Sequence, residues 1–572
     1  MNEPVIMTNP AQCRDCYRCV RNCVVKAIQV KEQQAHVIPE LCILCGTCVR
    51  NCPQHAKSIR SSRPDILAAR DQGRKIVASV APSAPAFFDM NSFSELEESL
   101  KELGFHAAEE TAVGAEIVGQ AHREYIEKAP GRLPVITSSC PVVVNLVEKY
   151  YPDLIPHLAP IVSPMIAHGR LLAEKFGKDT YIVFIGPCIA KKMEMCDEAV
   201  AGSVHAVMSF RGLQEWFSEN DILCRQKDET VESPSIDKAR LFPIEGGLIG
   251  TAEMNTDILD KHMIVASGLD SCRDIFDNIR AGRLIADLVE LMACKGGCIN
   301  GPAMADVAGG IYMARQKIIE FHTRNQRSLH IPREDWPPLE RSFSDKMVRV
   351  PEFTEEQIQE VLHRVNKYTP EDELNCGACG YSSCREKAVA TLRGMAEATM
   401  CIPYMRSRSE SLRQVVMDVT PNSIIIFDDD LIIHHISPSA EKLFSCKLAD
   451  VQGKHLSCLI SSLDDFIYVR DTGKSVIGKS RRLREDTIAE QTIVRVEGQL
   501  LLVAIIRDVT EREKEREKYN AIRRETLNRT REVVSRQMRV AHEIAHLLGE
   551  TTAESKIIFS HLAELLEEEE NQ

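Results

Sequence analysis

Apolar and polar positions change rhythm several times along the chain, and each change marks a stretch with its own architecture. Between residues 75 and 342, short apolar runs at 75–80, 133–137 and 181–185 are separated by stretches of helical period at 93–103 and 142–149. That alternation is α/β grammar. Upstream, 27–30 and 35–38 read as short strands inside a cysteine-rich block. Residues 60–74 are polar and basic with one proline and one glycine, the composition of a linker. Trp336-Pro337-Pro338 and Val350-Pro351 mark a boundary. Residues 354–365 then form an amphipathic helix, followed by a second cysteine-rich stretch from Cys376 to Cys401. Farther on, 423–427, 428–430 and 431–434 read as strand, turn and strand, and 492–496, Glu497-Gly498 and 499–507 repeat the arrangement. Beyond Thr510 the pattern is that of a charged helix. Leu548, Thr552, Ser555, Phe559, Leu562 and Leu566 follow at alternating four- and three-residue steps, a coiled-coil spacing with two polar positions in its seam. The acidic run Glu567–Glu570 reads as a solvated tail.

At 572 residues the chain is too long for one core, and three to five domains are expected. The boundaries fall at 1–60, 75–345, 352–408, 411–510 and 511–572, multidomain α/β and α+β in class. A net charge of −13 argues against nucleic acid as a partner, which needs a basic face. No run approaches the roughly 18–20 apolar residues of a membrane span. Residues 1–10 lack the apolar core and cleavage site of a signal peptide, so a cytoplasmic location is expected. Cysteine changes the picture most. The 21 cysteines cluster at two- and three-residue gaps, which in a long chain without a secretion signal points to metal ligands in a reducing compartment.

Cys13, Cys16, Cys19 and Cys23 form a C-x2-C-x2-C-x3-C run that Cys42, Cys45, Cys48 and Cys52 repeat. Cysteines three apart on a tight loop aim three thiolates at one face of a cubane, and the fourth sulfur comes from elsewhere. Over residues 10–58 this resembles the two-cluster bacterial ferredoxins, in which the last cysteine of each run serves the other cluster. The resemblance implies one [4Fe–4S] centre on Cys13, Cys16, Cys19 and Cys52, and another on Cys42, Cys45, Cys48 and Cys23. Pro53 after Cys52 fits the pattern; Val24 after Cys23 departs from it. Zinc is the alternative occupant.

Four more cysteines stand in Thr137-Ser138-Ser139-Cys140-Pro141, in Gly186-Pro187-Cys188-Ile189-Ala190-Lys191-Lys192, and in Met292-Ala293-Cys294-Lys295-Gly296-Gly297-Cys298. In order and neighbourhood these segments resemble the three signature stretches of [FeFe] hydrogenases, over residues 75 to about 340. The resemblance implies an H-cluster domain in which Cys140, Cys188, Cys294 and Cys298 hold a [4Fe–4S] cubane. Cys298 would also bridge to a two-iron unit carrying CO, cyanide and a dithiolate. Lys191 and Ser83 would contact cyanide and Met292 would pack beside the two irons. Gly296 and Gly297 suit a tight turn under a bulky cluster. Departures point to the sensory branch of the family. Ser139 stands where efficient hydrogenases carry a proton-relaying cysteine. A thiol, with a pKa of about 8.5, exchanges protons near neutrality far better than a hydroxyl. Gly186 replaces a methionine, and Gly119, Gln120 and Ala121 lie in a region poor in carboxylates, leaving Glu194 as the survivor of a proton path. The segment Glu245-Gly246-Gly247-Leu248-Ile249 matches a further family loop loosely. Cys196, Cys224, Cys272, Cys446 and Cys458 lack partners at ligand spacing and read as core thiols.

Cys376, Cys379, Cys384 and Cys401 resemble a small iron–sulfur module and imply one more [4Fe–4S] cluster, again with zinc as the alternative. Residues 411–510 resemble a PAS sensory domain, on Pro421-Asn422-Ser423-Ile424, Asp428, Ser437 to Ala440 and the Asp508-Val509-Thr510 hand-over to a signalling helix. Haem on His434 or His435 is disfavoured, because adjacent strand residues face opposite ways. His542-Glu543-Ile544-Ala545-His546 fits a zinc-protease motif and the phosphoacceptor box of histidine kinases, yet no domain for either chemistry accompanies it. The expectation is an H2 or redox sensor with slow, reversible H2 oxidation, its partners being H2 and protons, a redox carrier such as ferredoxin, a signalling kinase or phosphatase, and a second copy of itself in a homodimer. A working hydrogenase, and an electron carrier without the two-iron unit, stay open.

Overall fold

The structure, a computed structural model, describes residues 4–128, 134–222, 238–254, 262–304, 309–324, 331–484, 487–496, 498, 500–548 and 558–564. The chain divides into two compact units, Met1–Met405 and Arg406–Gln572.

The first unit is built on two parallel sheets. One has the order Ala107–Glu110, Ile76–Val80, Tyr181–Gly186, Ala206–Ser209; the other runs Met263–Ser267, Leu288–Met292, Val135–Ile136. Every residue of Ile76–Val80, Tyr181–Gly186 and Leu288–Met292 is buried, so these strands read as nearly continuous apolar runs, interrupted by Ser79 and Glu290, because both faces are covered. Helices Ala112–Glu127 and Pro164–Phe176 pack together beside the first sheet. Ser92 and Glu95 form a reciprocal cap that starts Phe93–Glu102. Parallel pairing has one functional consequence. The carboxyl ends of neighbouring strands lie on one side of each sheet, and Ser83, Cys140, Cys188 and Cys294 each follow such an end. The N-terminal repeat adds two antiparallel pairs, Ile28–Lys31 with Gln34–Val37 and Ile6–Thr8 with Lys57–Ile59.

The expected linker needs correction. Residues 60–74 are not a bare linker, because Arg63–Asp71 is a helix with Pro64 in its first turn and Ile66 and Ala69 buried in the main core. Four charged residues on the outer face hid two apolar ones at helical spacing. Past Trp336-Pro337-Pro338 the chain is still packed on this unit, inside the expected bounds 75–345. Leu339 is buried, and Arg341 is buried among carboxylates of the first unit. Cys272 is a core thiol as expected, but Cys196 and Cys458 are exposed and Cys446 is half-buried; Cys224 lies outside the described residues.

The second unit is a five-stranded antiparallel sheet ordered Ile433–Ile436, Ser423–Asp428, Leu501–Asp508, Thr487–Arg495, Val476–Arg484. Alternate residues of Ser423–Asp428 are buried, and Phe427 meets Phe466 at 5.7 Å in the core. Thr510–Leu548 follows as a 39-residue helix. His542 is exposed on it; the side chain of His546 and the positions Thr552, Ser555 and Leu566 lie outside what is described. Among the described residues no helix is long and apolar enough to cross a membrane.

Candidate iron–sulfur centres

The sixteen cysteines singled out by spacing gather in four groups of four. Cys13, Cys16, Cys19 and Cys52 line one cavity, with Lys57 beside them. Cys23, Cys42, Cys45 and Cys48 lie within each other's electrostatic reach; burial, aided by the neighbouring thiols and opposed by the backbone N–H of Leu44, pushes Cys42 up to about 12. The crossing of the fourth cysteine between runs is therefore present in the geometry. The repeat also recurs in its hydrogen bonds, since Ala27 N–H donates to Cys23 Sγ and Ala56 N–H to Cys52 Sγ, both at 3.3 Å. Lys57 is buried between the groups, with its ammonium on Thr8 Oγ1 and the Ala35 carbonyl, and its charge favours the thiolates of Cys19 and Cys48.

The third group comes from three remote segments. Cys140, Cys188, Cys294 and Cys298 each feel at least one of the others. Burial is the main cause that pushes Cys188 up to about 11, Cys298 up to about 12 and Cys294 well above the ordinary thiol range, with neighbouring thiols adding to it. Ligands must shed those protons to bind metal. Gly297, at φ +101°, has room only for hydrogen: a Cβ there would stand 2.3 Å from the Pro243 carbonyl oxygen. Cys298 N–H donates to that same carbonyl at 2.7 Å, which fixes the turn.

Around this group the charges are arranged in a way the sequence did not disclose. Lys191 donates to Glu194 at 2.7 Å and reaches the Ser139 carbonyl at 3.4 Å. Arg341 donates to the other Glu194 oxygen at 2.8 Å. Burial raises the Glu194 pKa, but the two cations outweigh it and hold the carboxyl below its usual range. Glu194 is thus a locked anion, poorly suited to the proton path proposed for it. Glu290 behaves in the opposite way. It accepts from the backbone N–H groups of Leu248 and Ile249 at 3.3 and 3.0 Å, and burial nevertheless pushes it up to about 7. A carboxyl within the five-residue apolar strand Leu288–Met292 was the available signal, and it went unread. In the carboxylate-poor region, His122 is fully buried, with Nδ1 on the Val118 carbonyl and Nε2 unpaired; burial lowers it to about 4, so it is neutral. The Phe184 ring occupies the space that a side chain at Gly186 would need, 2.6 Å from the missing Cβ.

Two hydroxyls test the fit of a further group. Ser83 Oγ and Ser139 Oγ are buried, and neither has a hydrogen-bond partner among the described residues. Buried polar atoms are normally paired, so each of these hydroxyls fits a polar occupant, and Lys191 reaches the carbonyl of Ser139. Met292 is buried.

Cys376, Cys379, Cys384 and Cys401 line the fourth cavity, where the buried Lys387 lies within reach of Cys379, Cys384 and Cys401. A single zinc would draw its thiolates to about 2.3 Å from one point. Among the described residues, no three or more His, Cys, Asp or Glu are grouped to hold one metal ion.

Residues 74–302 match the C-terminal domain of the iron-only hydrogenase large subunit, 12–64 a 4Fe–4S dicluster domain, and 372–403 a putative Fe–S cluster family. The chain is hydrogenase-like. It is 27% identical over 361 residues to the periplasmic [Fe] hydrogenase large subunit of Nitratidesulfovibrio vulgaris, with 52% of this chain and 85% of that protein covered. It is also 40% identical over 258 residues to a cytosolic Fe–S cluster assembly factor homolog of Schizosaccharomyces japonicus, with 31% and 50% covered. An [FeFe]-hydrogenase structure from Chlamydomonas reinhardtii aligns at 18% identity and a TM-score of 0.39, over 50% of this chain and all of that one. The hydrogenase-like part carries extra Fe–S elements at both ends, and its relatives include both a hydrogenase and an assembly factor.

Proposed function

We propose that this chain is a multi-cluster iron–sulfur electron carrier that acts as a redox sensor, with four [4Fe–4S] centres on the four groups of cysteines. The observation that carries the reading is the convergence of Cys140, Cys188, Cys294 and Cys298 from three distant segments onto one buried site. Buried cations stand beside the thiol groups: Lys57 near the first two, Lys191 near the third and Lys387 near the fourth. Each offsets part of the negative charge that an added electron brings. The second unit, read as a PAS domain followed by a signalling helix, reports the redox state to a kinase or phosphatase.

A second reading has its own observation. The unpaired buried hydroxyls of Ser83 and Ser139, with Lys191 reaching the Ser139 carbonyl, suit a resident two-iron unit that Cys298 would help to hold. When bound, that unit supplies reversible H2 chemistry. The chain's part is then to orient it. Ser83 and Lys191 would donate to its anionic ligands, and Glu194 holds Lys191 in place. Ser139 would offer it a hydroxyl, which releases its proton poorly. Such a site senses H2 better than it turns it over.

Infrared spectroscopy and iron analysis of the protein matured in its own host separate the readings. Four cubanes account for about 16 irons, and a two-iron unit adds about 2 together with CO and cyanide bands. About 16 irons without the bands leaves the carrier; the bands establish the hydrogen sensor. Iron near zero removes both.

A further inference from the structure

One cleft in the first unit lies outside every cysteine group and yet borders two of them. Its floor is apolar, with Val24 and Val25 from the N-terminal repeat, Leu146 from helix Pro141–Tyr150, and Ala390 and Met395 from the last cysteine module. Its rim is basic: Lys26, Arg273, Arg280 and Arg393, against the single carboxylate of Glu386. Two of these cations are committed. Arg280 pairs with Asp153 and stacks on Tyr151 at 4.3 Å, and Lys26 donates to the Gly380 carbonyl at 2.6 Å. Arg273 and Arg393 are exposed and have no acceptor among the described residues.

The position matters as much as the charge. Val24 follows Cys23 directly, and Tyr381, also on the cleft wall, stands two residues past Cys379. Tyr150, in the same wall, feels the charges of Cys23 and Cys42. An object seated here touches the shells of the second and fourth cysteine groups at once. An apolar floor with a charged rim is the build of a protein interface. The two free cations come from different elements rather than converging on one point, as a small anion would require. The chain as a whole carries −13, so an acidic partner is repelled in general and drawn to this rim, which orients it.

We propose that this cleft is the docking site of a small acidic iron–sulfur carrier protein of the ferredoxin class. The carrier's cluster is oxidised by one electron and a cluster of this chain is reduced by one, or the reverse; no bond forms and no proton moves. The proposal rests on the cysteine groups holding clusters.

The test uses the full-length, cluster-loaded protein and a bacterial two-[4Fe–4S] ferredoxin of net negative charge, both oxidised, in titration calorimetry at about 50 and 300 mM salt. Binding that weakens with salt is expected. Arg273→Glu with Arg393→Glu should weaken it about tenfold or more at low salt and flatten the salt dependence, while Lys178→Glu, elsewhere on the surface, leaves it within about twofold. Equal affinity of the double variant and the parent overturns the proposal. So does saturable binding of ATP or inorganic phosphate that the double variant abolishes while the ferredoxin fails to bind. Iron content, measured on every sample, keeps the two ideas apart: full iron without carrier binding removes the cleft, and missing iron removes the cluster reading beneath it.

Discussion

Arg341 donates to Glu194 at 2.8 Å across 147 positions of sequence, and it does so with both side chains buried. Glu194 has two oxygens and two cations, Lys191 on one and Arg341 on the other. The outer segment of the domain thus fixes the charge of a carboxylate that in turn holds the lysine beside Cys188 and Cys298. Removing one partner of a buried charge group leaves the others under-compensated, at a cost of about 3 kcal/mol. Arg341→Met should lower the urea midpoint accordingly, with Lys346, which also reaches Asp197, unable to replace it. A midpoint within experimental error of the parent would show that the ion network is idle.

Glu290 predicts a pH dependence of the opposite sign to that of most carboxylates. Its folded value is raised to about 7 from an ordinary 4.5. Below pH 4.5 both folded and unfolded chains carry the proton, and the residue costs nothing. As pH rises toward 7 the unfolded chain loses its proton first, so stability falls, and above 7 the full cost of about 3 kcal/mol applies. Glu290→Gln removes the titration. Its stability relative to the parent should improve steadily from pH 5 to pH 8 in thermal melts of the cluster-free protein. Parallel profiles would place the proton elsewhere.

Gly297→Ala tests the turn under the third centre. A methyl group 2.3 Å from the Pro243 oxygen, at φ +101°, forces the loop carrying Cys298 to move. The expected result is a folded chain short of about four irons, the other three centres unchanged. Full iron content would mean that this loop does not hold a cluster.

Ser139→Cys asks whether hydrogen chemistry is present but slow. The hydroxyl it replaces is buried and unpaired. Where the two-iron unit is installed, a thiol restores a proton donor that titrates nearer neutrality, and H2 oxidation should rise about a hundredfold. No rise in a sample that shows the infrared bands would mean that proton delivery does not limit the site.

Much of this is legible because clustered cysteines announce themselves by spacing. Cys13 to Cys52 and Cys376 to Cys401 group as their intervals imply, and strand ends such as Gly186 and Met292 lie where the apolar runs stop. What sequence could not disclose is long-range polar pairing. Nothing near Arg341 marks it as the partner of Glu194, and the helix Arg63–Asp71 looked like a linker because its buried face is only Ile66 and Ala69. Cys196 reads as core because its neighbours carry no ligand pattern, yet it lies exposed beside the helix Lys191–Glu194. Burial at that level depends on which way a short helix turns, and four residues carry too little periodicity to say.

If the expected homodimer forms through its helix, Thr510–Leu548 offers a candidate seam. Along Thr510–Leu548, Tyr519, Thr526, Val533 and Val540 recur at intervals of seven, all exposed, with Ile522 and Ile544 at 64% and 50% exposure near them. A strict seven-residue repeat is the pattern that a second helix buries in a left-handed coil. Arg529 and Arg536 fall in the alternate seam positions after Ile522, so the pairing should be modest and suited to shifting with signal. Val533→Asp with Val540→Asp places two charges in that seam and leaves the sheet of the second unit untouched. Light scattering should show a dimer for the parent and a monomer for the variant, with unchanged far-ultraviolet dichroism from the sheet. A variant that stays dimeric would move the contact to some other surface, and a parent that is monomeric would deny the helix its partner.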